Sequence, residues 1–267
     1  MEERISMLAI IRGAGDIASA IALRLHKCGV SVIMTEVEHP LTVRRTVAFS
    51  EAVRSGKTQV EGVVGVRAES VDDALRRALE GVVPVLVDPK CSCIWLEPDV
   101  LVDAILAKRN VGTAIDMAPI VIGVGPGFTA GDDCHAVVET MRGHTLGRVY
   151  YEGSALPNTA VPGLVGGFAG ERVLRAPSDG TFREVASIRD HVEAGEIVAY
   201  VDDTPVIATL TGTLRGLIAG GTRVTEGLKC GDIDPRDEPS HCETVSDKGL
   251  AVAGGVLEAM LHLSGTC

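Results

Sequence analysis

Four groups of residues have types and spacings that could do chemistry. The first is Gly13-x-Gly15-x-x-Ala18, in "RGAGDIA". Gly13 allows a tight turn, Gly15 lets an anion approach the backbone, and Ala18 lets a helix sit close to a strand. A helix starting there would offer unpaired N–H groups to a phosphate. Glu36 stands where an acid holds ribose hydroxyls in nicotinamide enzymes. Asp16 complicates this reading, because a carboxylate at that place can cap the helix and occupy the donors a pyrophosphate would use. The alternative is a glycine-rich turn with no ligand.

The second group is "GVGPGFTAGDD", Gly123 to Asp133, in which Gly125 and Gly127 could form an anion nest just past a strand. The third is "ETMRGHTLGR", where Arg142, His144 and Arg148 cluster on an acidic chain. Arg suits bidentate phosphate or carboxylate contacts, and His144 could act as acid or base. An ordinary loop and a solvated turn are the plainer readings of these two stretches. The fourth is Cys91-Ser92-Cys93, which with Cys134-His135 and His241-Cys242 suggests a thiol or metal cluster. None of these has the C-x-x-C spacing of structural zinc, so no metal site is assigned, and a reactive thiol competes with buried, incidental cysteine. "KCGDIDPRDE" adds Asp232, Asp234 and Arg236, which could fasten a β-rich domain to its neighbour. Neither a G-x-S-x-G elbow nor a Walker loop is present.

The elements that must position these residues follow from periodicity. Residues 7–12 read as a strand, and Ile17, Ile21 and Leu25 with Ala18 and Ala22 form one helical face ended by Gly29. "VSVIMTEVE" is a second strand, which makes a βαβ unit. "HPLTVRRTVAFSEAVRSGK" is expected to be helical in part, and "VEGVVGVRA" a strand or hairpin. "SVDDALRRALEG" reads as a helix capped by Ser70. "VPVLVDP", "DVLVDAILA" and "APIVIGVGPG" read as strands, so the first 150 residues are expected to form a Rossmann-like parallel α/β domain. After about residue 130 helical periodicity gives way to closely spaced turns.

Residues 151–245 are expected to be β-rich and contain a repeat: Ala176, Gly180, Thr181, Arg183, Val192 and Gly195 match Ala208, Gly212, Thr213, Arg215, Val224 and Gly227 at an offset of 32. Two such units suggest a pseudo-twofold domain like the barrel-sandwich hybrid of lipoyl and biotinyl carriers. The hairpin between the halves, "VDDTPV", has no Lys, which argues against a covalent carrier. Residues 246–267 return to a helix with a broad apolar face, expected to pack back on the α/β domain.

The 267 residues carry a net charge of -11 and a pI near 5.1, against an extended nucleic-acid or anionic-membrane surface. No run approaches the roughly 18 apolar residues of a membrane helix. The acidic start "MEERISMLAII" lacks a basic region ahead of a long apolar one, and seven Cys on a chain this long do not read as a disulfide framework, so a cytoplasmic, reduced setting is expected.

With these segments in place, the chain resembles the YqeB family of selenium-dependent molybdenum hydroxylase accessory proteins. The resemblance rests on "RGAGDIASAIALRLHKCG", "VDAILAKRN", "GVGPGFTAG", "VVETMRGHTLGR", "NTAVPG", "RVLRAP", "GTLRGLI" and "KCGDIDPR", in that order along most of the chain. The N-terminal turn is also similar to the Rossmann part of the xanthine dehydrogenase accessory factor. The resemblance implies a maturation factor that binds molybdenum cofactor (molybdopterin) or a nucleotide, with a molybdenum hydroxylase as client. It transfers no catalytic residue, and the Cys91–Cys93 segment is no part of it. Gly13, Gly15, Asp16, Ala18, Glu36, Gly125, Gly127, Arg142 and His144 are the candidate cofactor-binding residues. An NAD(P)-dependent oxidoreductase and a non-enzymatic docking module are the competing readings, and assembly into a homo-oligomer is compatible with the sequence.

Overall fold

The computed structural model describes residues 7–266; the acidic segment before them, on which the absence of a leader was argued, lies outside the described residues. The chain divides into two compact units. The first comprises the chain up to Pro40, Phe49–Thr159 and the chain from Val245; the second comprises Leu41–Ala48 and Ala160–Thr244.

In the first unit, β1 (Leu8–Arg12) leads through the Gly13–Gly15 turn into α1 (Asp16–Lys27) and returns as β2 (Ser31–Glu36). α2 (Glu51–Ser55) precedes a hairpin of β3 (Lys57–Val60) and β4 (Val63–Ala68). The Ser70 hydroxyl accepts the Asp73 N–H at 3.1 Å and starts α3 (Val71–Leu79). β5 (Val83–Val87), β6 (Val100–Asp103), β7 (Ile120–Val124), β8 (Ala136–Val138) and β9 (Val149–Tyr150) follow, and α4 (Asp247–Leu263) closes the unit.

The nine strands form one sheet in the order β3-β4-β5-β2-β1-β6-β7-β8-β9. From β4 to β8 all neighbours are parallel, and both edges are antiparallel. The parallel strands therefore end on one edge, and strand order reverses between β1 and β6. Successive residues alternate between faces. Ile10, Ile33, Leu101, Val121 and Val137 share a core with Ala74 and Ala78 of α3 and with Cys91, Cys93 and Cys134. α4 packs along α1, where Gly249 lies against the Ala20 methyl.

In the second unit, β10 (Val173–Arg175), β11 (Gly180–Glu184), β12 (His191–Val192), β13 (Ile197–Val201), β14 (Thr204–Ile207), β15 (Gly212–Leu217), β16 (Arg223–Val224) and β17 (Lys229–Asp234) make two four-stranded sheets. Their orders are β10-β17-β15-β12 and β14-β13-β11-β16, with every pairing antiparallel. Shifting each strand of the first four by 32 residues lands on its counterpart in the second four and converts one order into the other. Phe182, Leu174, Leu214, Val201 and Ile233 fill the space between. Leu41–Ala48 belongs here because the Leu217 N–H donates to Val43 O at 2.9 Å and Arg45 Nε donates to Leu217 O at 2.8 Å.

The expected pairing of a Rossmann-like parallel domain with a barrel-sandwich-hybrid-like domain is corrected by this architecture: the first unit holds a mixed nine-stranded sheet and the second holds two antiparallel sheets. The crossovers after β5, β6 and β7 carry 3-10 turns and loops where α/β alternation would put helices. Apolar strand runs are visible in sequence; whether a Gly-rich crossover coils into a helix or a loop depends on packing that periodicity does not report.

The loop at Gly147 meets α4 at Gly255, whose missing side chain leaves room for the Gly147 carbonyl. Gly255→Ala should therefore cost about 1–3 kcal/mol through overpacking, read as a lowered thermal midpoint, whereas Gly254→Ala, where a methyl meets nothing within 4 Å, should not destabilise.

Candidate functional site

The carboxyl edge of the parallel strands gathers charge. In order across the sheet, Asp88 follows β5, Glu36 ends β2, Arg12 ends β1, Asp103 ends β6 and Glu139 follows β8. Open α/β sheets take ligands at this edge, where strand order reverses. Here the reversal falls between Arg12 and Asp103, which are register partners.

The two side chains point to one face and pair, Arg12 Nη1 to Asp103 Oδ2 at 3.1 Å, with 3% and 1% exposure. Arg12 also donates to Thr113 Oγ1 and to Val111 O, and Thr113 Oγ1 donates to Asp103 Oδ2 at 2.6 Å. Arg12 Nε is buried and has no hydrogen-bond partner among the described residues. A buried guanidinium with one unused N–H is a standing donor.

Cys91 and Cys93 approach on the same face of the sheet, within the core that Ile10 and Leu101 share. The Asp88 carboxylate accepts the Cys93 N–H at 2.8 Å, and Asp88 O accepts the Cys91 N–H at 3.0 Å. These bonds hold Cys91 in the left-handed region, φ 55, at the head of a 3-10 turn over Ser92–Leu96. The Cys93 thiol and the Arg12 charge lower the Cys91 thiol from its ordinary range against the opposing pull of burial. Cys93 moves the other way: the Cys91 thiol and its own burial push it up. Burial raises Cys134 and Cys230 to about 11, and raises Cys242.

The residues singled out in the sequence fall along the same edge. Gly13 has φ +93, and a methyl there would meet Ala104 O at 3.0 Å. Gly15 is the N-cap of α1 without a side-chain cap, Asp16 opens the helix, and Ala18 is buried. The carboxylate that reaches this turn is that of Glu36, which accepts the Ala14 N–H at 2.9 Å and the Val37 N–H at 2.8 Å. Burial raises the Glu36 carboxyl, and the two N–H groups only partly offset it. Gly125 and Gly127 follow β7, with Gly125 close to Thr140 and Gly127 against the Arg109 backbone. Arg142 makes a bidentate pair with Asp247 at 2.6 and 2.8 Å, and His144 is exposed. Of the residues read as a possible fastening between domains, Asp232 pairs with Arg172 and Arg215, and Asp234 with Arg215 and Arg236, all within the second unit.

Sequence reasoning noted Arg12 only as standing in front of the glycine turn and did not single out Asp103, Thr113, Asp88 or Glu139. A charged residue at or just past the end of an apolar strand is the signal that Arg12, Asp103, Asp88 and Glu139 share. Among the described residues no group of three His, Cys, Asp or Glu is placed to hold a metal ion, and no helix is long and apolar enough to cross a membrane.

No protein-family model matches the chain. Over 257 residues, 96% of the chain, it is 51% identical to "Uncharacterized protein YqeB" of Escherichia coli (strain K12). The chain is a homologue of YqeB. It spans about half of that relative's length (48%). Among solved structures it is similar to an aspartoacylase family protein from Mesorhizobium loti, with 10% identity, 85% of each chain covered and a TM-score of 0.25. A succinylglutamate desuccinylase/aspartoacylase from Rhodobacter sphaeroides shows 15% identity over 84% of this chain and 86% of its own, with a TM-score of 0.24. The ectoine utilization protein EutE from Ruegeria pomeroyi, with product bound, shows 12% identity over 85% and 57%, with a TM-score of 0.23.

The expected molybdenum-cofactor and nucleotide-binding function finds no support in these comparisons: the solved structures are aspartoacylase-type and ectoine-utilization proteins, and the likeness to YqeB, itself uncharacterized, brings no selenium or molybdenum role with it. At TM-scores of 0.25 or less they assign this chain no chemistry of their own.

Removing one member of the Arg12–Asp103 pair strands the other in a dry site. Arg12→Met should cost about 3–5 kcal/mol in equilibrium unfolding, and adding Asp103→Leu should recover most of that loss. Equal destabilisation of the single and double variants would show that the pair is not what closes this edge.

Proposed function

We propose that the first unit houses a thiol-dependent site at the carboxyl edge of its sheet, with Cys91 as the reacting group. The observation that carries this reading is the burial of Cys91 in the core it shares with Ile10 of β1 and Leu101 of β6, the strands at the order reversal, with its thiol lowered by the Cys93 thiol and the Arg12 charge. A thiolate, not a thiol, is the nucleophile, and a neighbouring fixed cation is the usual means of stabilising one. The remaining buried thiols for which a direction is resolved are all driven the opposite way.

Each neighbour has a part in this chemistry. Asp103 and Thr113 fix the Arg12 guanidinium so that its charge stays put. Asp88 fixes the backbone of Cys91 and Cys93 through N–H bonds. The buried setting strengthens every one of these electrostatic contacts. A compact electrophile fits such a site better than a polymer, because Cys91 is 1% exposed.

Titration of the thiolate absorbance in the ultraviolet tests this without requiring a reagent to enter. Above its own pKa Cys91 is ionised, so the whole chain should gain one thiolate at a pH below the ordinary thiol range near 8.5. Cys91→Ser should abolish that early step, and Arg12→Met should move it to higher pH. If the titration of the intact chain and of Cys91→Ser coincide, the site is not a thiolate site.

A further inference from the structure

We propose that His191 is a pH-sensitive clasp: its imidazolium fastens the exposed turn at residues 236–240 to β12 and β15, and loss of its proton lets that turn open. The clasp lies in the second unit and is independent of the thiol site. It is built from hydrogen bonds that only the charged ring can complete.

His191 stands in β12, an edge strand of its sheet, with Thr213 of β15 as its register partner. Both ring nitrogens face carboxylates. Nδ1 lies 2.9 Å from Asp237 Oδ2, and Nε2 lies 3.2 Å from Glu193 Oε1. A neutral imidazole has one N–H and one lone pair, so it can donate to one carboxylate and must turn its lone pair on the other. The imidazolium donates to both. The two acids are themselves held from behind. Thr213 Oγ1 donates to Asp237 Oδ1 at 2.7 Å, and Thr211 Oγ1 donates to Glu193 Oε2 at 2.9 Å. Asp237 has φ 52, in the left-handed region, and residues 236–240 are all exposed. The Asp237 side chain, through Thr213 and His191, thus ties this turn to the sheet.

The other charges on the adjoining segments are engaged elsewhere. Asp190 accepts the Ser187 N–H at 2.8 Å, and Glu196 accepts the Glu193 N–H at 2.9 Å. Glu238 accepts the Ser240 N–H at 3.1 Å, Arg189 pairs with Glu243, and Arg215, Arg236 and His241 lie against Asp234. Asp237 first and Glu193 second hold the His191 imidazole above its ordinary value. A group raised by folding contributes fully below its unfolded value, about 6.5 for His, and loses that contribution as the pH rises through the raised one. The clasp is therefore closed from above the carboxylate range up to about 6.5 and opens at higher pH. An exposed ion pair adds little to global stability, so the change is local opening of the turn and not unfolding of the sheet.

The repeat supplies a contrast. At the 32-residue offset Arg223 takes the place of His191, Pro205 that of Asp237 and Thr181 that of Thr213. Arg223 donates to Thr181 Oγ1 at 3.3 Å. That corner of the second sheet carries a permanent cation and no acid at the matching place, so the titratable clasp belongs to one sheet alone.

The test follows the full chain by NMR titration of its imidazole rings, with His191 assigned through His191→Gln. Hydrogen exchange of the peptide holding residues 236–240, expressed as protection relative to unstructured chain, is the second readout. The His191 ring should titrate above about 6.5, and protection of the turn should fall through that same transition. Asp237→Asn should move the ring's titration down toward its ordinary value. His191→Gln should leave the turn poorly protected at every pH, and His191→Arg, whose charge persists, should keep it protected throughout. Both side chains are exposed, so none of these changes touches the core. A ring that titrates at or below about 6.5 would overturn the proposal. A raised titration that leaves the protection of the turn unchanged would overturn it equally.

Discussion

The first unit depends on a buried charge pair at the one place where a parallel sheet cannot close itself. Where strand order reverses, the crossovers before and after leave in opposite directions and open a crevice at the strand ends. In this chain Arg12 and Asp103 meet there in register. Either group alone in that setting would leave a buried, unpaired charge, which is costly. Together with Thr113 they satisfy each other, and the buried Nε–H of Arg12 has no partner among the described residues. On the proposed reading, the same pair that closes the crevice also contributes the positive charge that lowers the Cys91 thiol.

The other acids of this edge serve the loops. Glu36 takes the Ala14 and Val37 N–H groups, Asp88 takes that of Cys93, and Glu139 takes those of Thr140, Met141 and Leu156. A loop at a sheet end has N–H groups with no strand to receive them, and burying them unpaired is costly. A carboxylate has acceptor capacity for several at once. After β5, the segment latched by Asp88 takes the place of the helix that α/β alternation would have put there, and loops do so after β6 and β7. This also changes the meaning of the glycine turn. Its spacing is that of an anion-binding turn, and the anion that the Ala14 N–H meets is the chain's own Glu36.

This division explains what the sequence made legible. The strands were readable because runs such as "LAIIR", "VPVLV" and "IVIGV" are buried on both faces and need no partner to be recognised. The Ser70 cap of α3 was readable because it is a local bond. The 32-residue offset was readable because turn glycines recur where the backbone requires them, as at Gly180 and Gly212, with φ +157 and +154. The mixed sheet edges and the loop crossovers were not readable, since both depend on which strands become neighbours. The same holds for the site. Cys91 and Cys93 stand out as residue types, but Arg12 lies 91 residues from Asp103, and nothing local joins either to a cysteine.

The repeat in the second unit shows how equivalent backbones acquire different chemistry. Arg183 and Arg215 occupy matching places in β11 and β15. Arg183 is exposed and stacks over the ring of Tyr200 at 4.6 Å. Arg215 is buried and bonds Asp232 at 2.5 and 3.0 Å, where Asp232 is the counterpart of Tyr200. Burial pushes the Asp232 carboxyl up, but Lys229, Arg215 and Arg172 outweigh it and the net direction is down. A carboxyl lowered by folding contributes stability above the ordinary carboxylate range and loses it as the pH falls through its depressed value. A change opposite a duplicated arginine, Tyr in one half and Asp in the other, gives one sheet a buried, acid-dependent ion pair where its twin has a stacking contact.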